Sequence, residues 1–242
     1  MKDNHLDHIV TLLEGKVEEL TLPVEKVDII ISEWMGYFLL YEGMMDTVLY
    51  ARDKWLAPDG LMFPDKAVLF LTAIEDEQYR REKYEWWNNV YGFDMSSIGR
   101  VALAEPLVAC ADGKAVVTDA CAVLRLDMQT CVKTDWHFSS PFRLYCHRDD
   151  RVDALLGYFD IFFSHGKETV SFSTSPFSPY THWKQTVFYF DQCFNVRRGE
   201  EITGSISVNP NAQNFRDLDI AISYAYKDRK FAESKSKKFF MK

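Results

Sequence analysis

Two glutamates nine positions apart, Glu33 and Glu42, are the residues whose type and setting could do chemistry; they stand in the run VDIIISEWMGYFLLYEGMM, residues 27–45. Carboxylates crowded among Trp34, Tyr37, Phe38 and Tyr41 repel each other and are costly to desolvate. A cation between them removes both penalties. A planar guanidinium suits the pair best, because its fork of N–H donors engages both carboxylates at once, whereas an ammonium is a compact point charge. The plainer alternative is a helix-start acid at Glu33 and a solvated surface charge at Glu42. It stays open on residue types alone, since most glutamates are exposed.

The elements that must position this pair follow from hydrophobic periodicity. The β-branched run 27–31 predicts a strand buried on both faces, as in a parallel sheet, ending at Ser32. The carboxylates then lie at the carboxyl end of a parallel strand, the edge where open α/β sheets bind ligands. Met44, Val48, Leu49 and Leu56 fall at helical spacing over residues 43–55, so a helix backs the glutamates, and Ala57-Pro58-Asp59-Gly60 ends it with turn chemistry. Upstream, residues 8–13 alternate toward a strand, Glu14-Gly15 turns, and Leu22-Pro23 breaks the chain. Pro64 marks a crossing into a second region, where the period changes from 3.6 to 2. Strand-like segments from Ala67 onward recur near 115–126, 142–146, 154–163, 169–173, 185–190, 201–208 and 218–226. Such spacing predicts an antiparallel barrel or sandwich.

Two stretches stand apart from that rhythm. Residues 75–90, EDEQYRREKYEWWNNV, read as a charged, aromatic helical insert. Either its Tyr79, Tyr84, Trp86 and Trp87 cap the barrel, or it is an arm whose tryptophans need a partner to cover them. Residues 227–242 are basic through Lys230, Lys235, Lys237, Lys238 and Lys242, with Phe239-Phe240, and read as a frayed solubilising tail.

Composition bounds the function classes. The 242 residues, 47% hydrophobic and 15% aromatic, suffice for one large domain or two small ones. No window approaches the roughly 20 apolar residues of a membrane span, and the start MKDNHLDHIV has no signal-peptide pattern. Five scattered cysteines, odd in number and without a C-x-x-C pair, predict a reduced compartment and no metal site. A formal charge of −8 argues against nucleic acid as a direct partner and favours cationic ones.

The motif SEWMGYFLLYE resembles the double-E loop of the protein arginine methyltransferases, the type I branch in particular. SPYTHW, residues 178–183, is similar to the family's Thr-His-Trp loop, and VLYARDKWLAPDG (48–60) and NVYGFDM (89–95) match in order and spacing. The resemblance implies an α/β plus all-β fold. Residues 1–64 would be the C-terminal part of a Rossmann-like domain that binds S-adenosylmethionine, and 65–242 an antiparallel β-barrel substrate domain with a helical dimerisation arm at 75–98. It implies catalytic roles for Glu33 and Glu42. It places Val17, Glu18 and Met44 on the cofactor: Glu18 accepts from the adenine's exocyclic amine, and Met44 lines the methyl-transfer site and limits the product to asymmetric dimethylarginine. Trp34, Met35, Tyr37, His182 and Trp183 are implied to face the substrate, His182 bracing the glutamate pocket and Trp183 walling the peptide groove. The implied activity is methyl transfer to arginine in Gly/Arg-rich proteins such as histones and RNA-binding proteins. The resemblance implies a homodimer for the full-length family member, its arm docking on a cofactor domain largely outside these residues, and a cytoplasmic and nuclear protein with no metal and no membrane.

The family's glycine-rich cofactor loop, V-L-D-x-G-x-G-x-G, does not occur in this sequence, nor does the acid that grips the cofactor ribose. The chain therefore reads as lacking the family's first third, and no S-adenosylmethionine binding is expected from these residues alone. A second function class follows from that absence, a catalytically silent β-barrel fragment serving as a binding or oligomerisation module.

Overall fold

The run Val27–Ile31 forms strand β1 and ends before Ser32, as its β-branched pattern predicts. A computed structural model describes residues 1–227 and 232–242; Lys230 of the basic tail lies outside the described residues. Helix α1 (Met45–Trp55) leads from β1 to β2 (Leu56–Phe63), which pairs with β1 in parallel. Burial on both faces is not observed, for Ile29 is exposed and Ile31 is 76% exposed. The reason is that, among the described residues, β1 has β2 as its one neighbour and α1 on one side. The turn residues expected to follow the helix are absorbed into β2 as an irregularity. Val27 faces Leu56 while Ile29 faces Leu61, so Ala57-Pro58-Asp59-Gly60 bulges out of the ladder. Residues 8–13 are a turn at 8–9 followed by irregular chain rather than the expected strand, with Ile9 and Leu12 exposed. A strand needs a neighbour for its backbone groups, and no described strand lies beside them.

Beyond Pro64 the expected antiparallel architecture appears as two sheets. One is formed by β3 (Lys66–Ile74), β4 (Leu107–Ala109), β5 (Cys121–Asp127), β7 (Asp150–Phe163), β8 (Val170–Ser173) and β9 (Gln185–Val196). Its order is β4-β9-β7-β3-β5, with β8 on β7. The other comprises β6 (Phe138–Tyr145), β10 (Glu201–Pro210), β11 (Leu218–Lys227) and β12 (Ala232–Met241), ordered β12-β11-β10-β6. Hydrogen bonding among these strands does not close a ring; the sheets face each other across one core that includes Leu69, Leu155, Phe188, Ile206 and Ile222.

The basic tail is strand β12 rather than a frayed end. Phe239 and Met241 reach the core, and Lys237, on the same side of the strand, donates to the Tyr189 carbonyl at 3.0 Å and to Asp191 at 2.5 Å. Burial holds the Lys237 ammonium below its ordinary pKa, against the pull of Asp191. Period-2 alternation was present in this segment, hidden because two of its inward positions are lysines whose stems lie along apolar surface.

The insert folds as α2 (Glu77–Lys83), a 3-10 turn (Glu85–Asn88) and α3 (Ser96–Ala102). Tyr79 and Tyr84 pack on Tyr189 of β9, and the buried Arg80 guanidinium donates to the carbonyls of Phe190 and Asp191 at 2.7 and 2.6 Å. Beneath them Ile74, Leu156 and Val187 make a second core. Strand β7 is nearly continuous in apolar residues because it serves both: Leu155 and Phe159 face the main core, Ala154 and Leu156 the arm. The insert's outer side leaves Trp86, Phe93 and Val101 exposed and Tyr91 94% exposed. Capping and presentation thus coexist on opposite sides of one element. No helix among the described residues is long and apolar enough to cross a membrane.

Candidate active site

The chain leaves β1 into a loop braced by its own backbone. Gly36 N–H donates to Leu39 O (3.0 Å), Tyr41 N–H to Tyr37 O (2.9 Å) and Met44 N–H to Trp34 O (2.8 Å). Phe38, Leu39 and Glu42 adopt positive φ of 51°, 67° and 55°, a region that non-glycine residues enter only under constraint. The constraint is burial. Trp34 is 1% and Phe38 2% exposed, and both join Leu39 in the core shared by the two sheets. The Phe38 ring meets Phe188 edge-on at 5.0 Å. It also lies over Gly157 of β7, where an added Cβ would sit 2.3 Å from Phe38 Cε2.

The aromatic anchors, not the acids, take the interior. Glu33 and Glu42 are both exposed, which corrects the expectation that an apolar wall surrounds them. Trp34 and Met35, implied to face substrate, are buried and hold the loop from within. Tyr37 lies at the surface and stacks on Tyr41 at 6.5 Å. Trp183, implied to wall a peptide groove, braces the loop: its indole Nε1 donates to the Met35 carbonyl at 3.1 Å, and its ring stacks on Phe172 at 5.5 Å. The exposed His182 lies on Trp183, ring centroids 3.8 Å apart. Among the described residues no hydrogen bond joins His182 to either glutamate.

Residues implied to meet the cofactor are keyed to α1. Val17 and Glu18 sit in a 3-10 turn (Val17–Glu19), where Glu18 Oε1 accepts from Thr47 Oγ1 at 2.8 Å and the Glu18 carbonyl from the Tyr50 hydroxyl at 3.0 Å. Its own backbone N–H, then Thr47, hold the exposed Glu18 carboxyl below the usual range. Met44, 51% exposed, caps α1 and with Leu40, Thr47, Trp136, Phe215 and Arg216 lines a cavity of about 280 Å³. Thr47 escaped the sequence reading, although its place three residues after Met44 puts both on one helix face.

Arg216 escaped it too, and no local signal could have found it. It lies in the β10–β11 connection, 174 residues from Glu42, and its carbonyl accepts from the Glu42 N–H at 3.1 Å. Its guanidinium Nη2 stands 3.9 Å from Glu42 Oε1, both side chains about half exposed. The connection is itself fixed, Asn211 N–H donating to Asp217 O and Asn214 Nδ2 to Asp217 Oδ1, each at 2.9 Å. Burial, then Glu42 and Asp217, raise the Tyr41 hydroxyl pKa beside this cluster. The loop therefore presents two exposed acids, Glu33 unpaired among the described residues and Glu42 beside the Arg216 guanidinium, with the exposed Met44 two residues after Glu42.

The family model described as the arginine methyltransferase oligomerization subdomain matches residues 65–229. Protein arginine N-methyltransferase 8-B of Danio rerio is 56% identical over 227 residues, covering 94% of this chain and 54% of that protein. Protein arginine N-methyltransferase 1 of Dictyostelium discoideum is 50% identical over 239 residues, 99% of this chain and 70% of the relative. The chain thus spans between about half and about seven tenths of these relatives' length. Among solved structures, the Trypanosoma brucei PRMT1 enzyme-prozyme heterotetrameric complex with AdoHcy superposes with a TM-score of 0.96 at 42% identity, covering 100% of this chain and 76% of that one. Arabidopsis thaliana protein arginine methyltransferase 10 superposes with a TM-score of 0.87 at 28% identity, covering 100% and 78%.

Proposed function

Because the chain belongs to the protein arginine methyltransferase family, we propose that it works as a type I protein arginine N-methyltransferase on Gly/Arg-rich protein segments, with S-adenosylmethionine as methyl donor. The observation that carries this reading is the loop built to expose two acids: Trp34, Phe38 and Leu39 are spent as buried anchors while Glu33 and Glu42 face outward. The donor set suits one end of the cofactor. Glu18, held by Thr47, offers a carboxylate to an exocyclic amine, and Met44 offers a thioether to a methyl-bearing sulfur. The rest of the cofactor finds no glycine-rich run in these 242 residues.

When bound, the cofactor supplies an electrophilic methyl. The chain's own part is positioning. Glu33 and Glu42 would pair with the substrate guanidinium, restrict its rotation and aim one terminal nitrogen, their charge stabilising positive charge on the guanidinium, and one of the two would accept the N–H proton that the methylated nitrogen sheds. Tyr37 and His182 flank the approach. The division between residues 1–64 and 65–242, a homodimer built through the 75–98 arm, and cytoplasmic and nuclear placement belong to the same proposal. The subdomain match and the relative's heterotetramer support assembly.

The test is methyl transfer to a Gly/Arg-rich peptide by a version extended with the family's glycine-rich segment. Glu42→Gln is expected to lower the rate by about 100-fold or more, the scale of losing one preorganised charged contact in a transition state, with unfolding temperature unchanged. Full turnover in the variant rejects the clamp. The exposed β1 edge at Ile31 and the missing glycine run favour a second reading for the chain by itself, a binding or oligomerisation module. Calorimetry with S-adenosylmethionine separates the two: no heat of binding is expected from the 242 residues, and micromolar affinity restores the enzyme reading to the chain alone.

A further inference from the structure

We propose that Arg216 is a specificity-determining residue of this site, making cation retention depend more on hydrogen-bond geometry and less on charge and so favouring guanidinium over ammonium. The inference rests on the reading of Glu33 and Glu42 as a guanidinium clamp. Two carboxylates around one monocation leave a surplus negative charge. A site with that surplus also retains an ammonium, which gains from charge but cannot span two carboxylates with a planar fork.

Arg216 supplies the balancing charge. Its Nη2 stands 3.9 Å from Glu42 Oε1, a charge contact too long to be a hydrogen bond. A carboxylate has about four lone-pair positions, so Glu42 keeps acceptors for an incoming fork. The Arg216 backbone stays beside Glu42 when a ligand arrives, because its carbonyl accepts from the Glu42 N–H at 3.1 Å, so the guanidinium remains within reach of that carboxylate. The neighbouring groups do not duplicate it. Asp217 and Glu105, which with Glu42 bear on the Tyr41 hydroxyl, are acids, and Arg216 is the basic group among them. Among the described residues it is also the cation paired with Glu42, and Glu33 has none. With the surplus cancelled, the net charge facing the ligand is −1 rather than −2, so an ammonium loses part of its attraction, whereas a guanidinium keeps its directed bonds.

Fluorescence anisotropy with labelled Gly-Gly-Arg-Gly-Gly and its lysine counterpart, titrated with the wild-type chain, Arg216→Gln, Arg216→Lys and Glu42→Gln, tests this. Wild type is expected to prefer the arginine peptide. Arg216→Gln should tighten the lysine peptide by about 5-fold, the scale of one half-exposed ion pair, with a smaller change for arginine. Arg216→Lys, which keeps the charge, should keep the wild-type ratio. Parallel weakening of both peptides, an unchanged ratio in Arg216→Gln, or a collapsed ratio in Arg216→Lys overturns the proposal. Unaltered arginine-peptide binding by Glu42→Gln, or no binding by wild type, overturns the clamp and this inference with it. Loss of binding in Glu42→Gln with an unmoved ratio in Arg216→Gln overturns the inference alone.

Discussion

Left-handed backbone at three non-glycine residues of one loop, Phe38, Leu39 and Glu42, costs on the order of 1–3 kcal/mol at each. Burial of Phe38 and Leu39 offsets it, and the acids inherit a fixed direction. Gly36 completes the arrangement, since an added Cβ would lie 1.7 Å from the Tyr41 carbonyl oxygen. Gly36→Ala is expected to destabilise by about 1–3 kcal/mol, the range for forced overpacking. The unfolding temperature should fall by roughly 2–4 °C per kcal/mol for a chain of this size. Calorimetry checks it; unchanged melting would show that the loop tolerates a shifted Tyr41.

A buried acid makes a second prediction at this scale. Asp65, at the junction of β2 and β3, accepts from the Ser164 N–H at 2.6 Å and from the Ser164 hydroxyl. Burial alone would raise its carboxyl pKa, but the Ser164 bonds and His165 outweigh burial and leave it below the ordinary 3.8. A depressed folded-state pKa means stability present above about pH 4 and lost as pH falls further. Asp65→Asn should therefore differ most from wild type near neutral pH, the gap narrowing below about pH 4 in denaturant titrations. A gap independent of pH would count against the assignment.

Among elements, the joint that matters is between the glutamate loop and the stretch ending at Trp183. One indole hydrogen bond to Met35 O at 3.1 Å joins them, while stacking on Phe172 of β8 holds the Trp183 ring in place. Trp183→Phe keeps most of the stacking and removes the bond. A loss of about 1 kcal/mol in stability is expected, with weaker arginine-peptide binding because Glu33 lies two residues from the freed carbonyl. Stability lost without any change in peptide affinity would mark the joint as structural only.

Over the whole molecule, one element has two unlike sides. The 75–98 insert stacks Tyr79 and Tyr84 inward on Tyr189 and leaves Trp86, Tyr91 and Phe93 outward. Exposed aromatics grouped on one element favour association. Sedimentation of the chain is expected to show concentration-dependent self-association that Trp86→Ala with Tyr91→Ser weakens. A monomer at every concentration would place the arm's partner surface outside these residues.

By itself the sequence determined what depends on neighbours along the chain. Period-2 alternation announced β3, β7, β9, β10 and β11, and the β-branched run announced β1 and its end at Ser32. The spacing of Glu33 and Glu42 among aromatics left a cation pair and two surface acids both open, because residue types and short intervals encode local conformation and charge but not exposure. Tertiary structure decided which way those residues face and what meets them. Trp34 and Met35 turned inward because the facing sheets offered a core, and lysine-rich β12 formed because β11 offered a ladder. Arg216 came to Glu42 across 174 residues because packing of two sheets sets distances that no interval along the chain records.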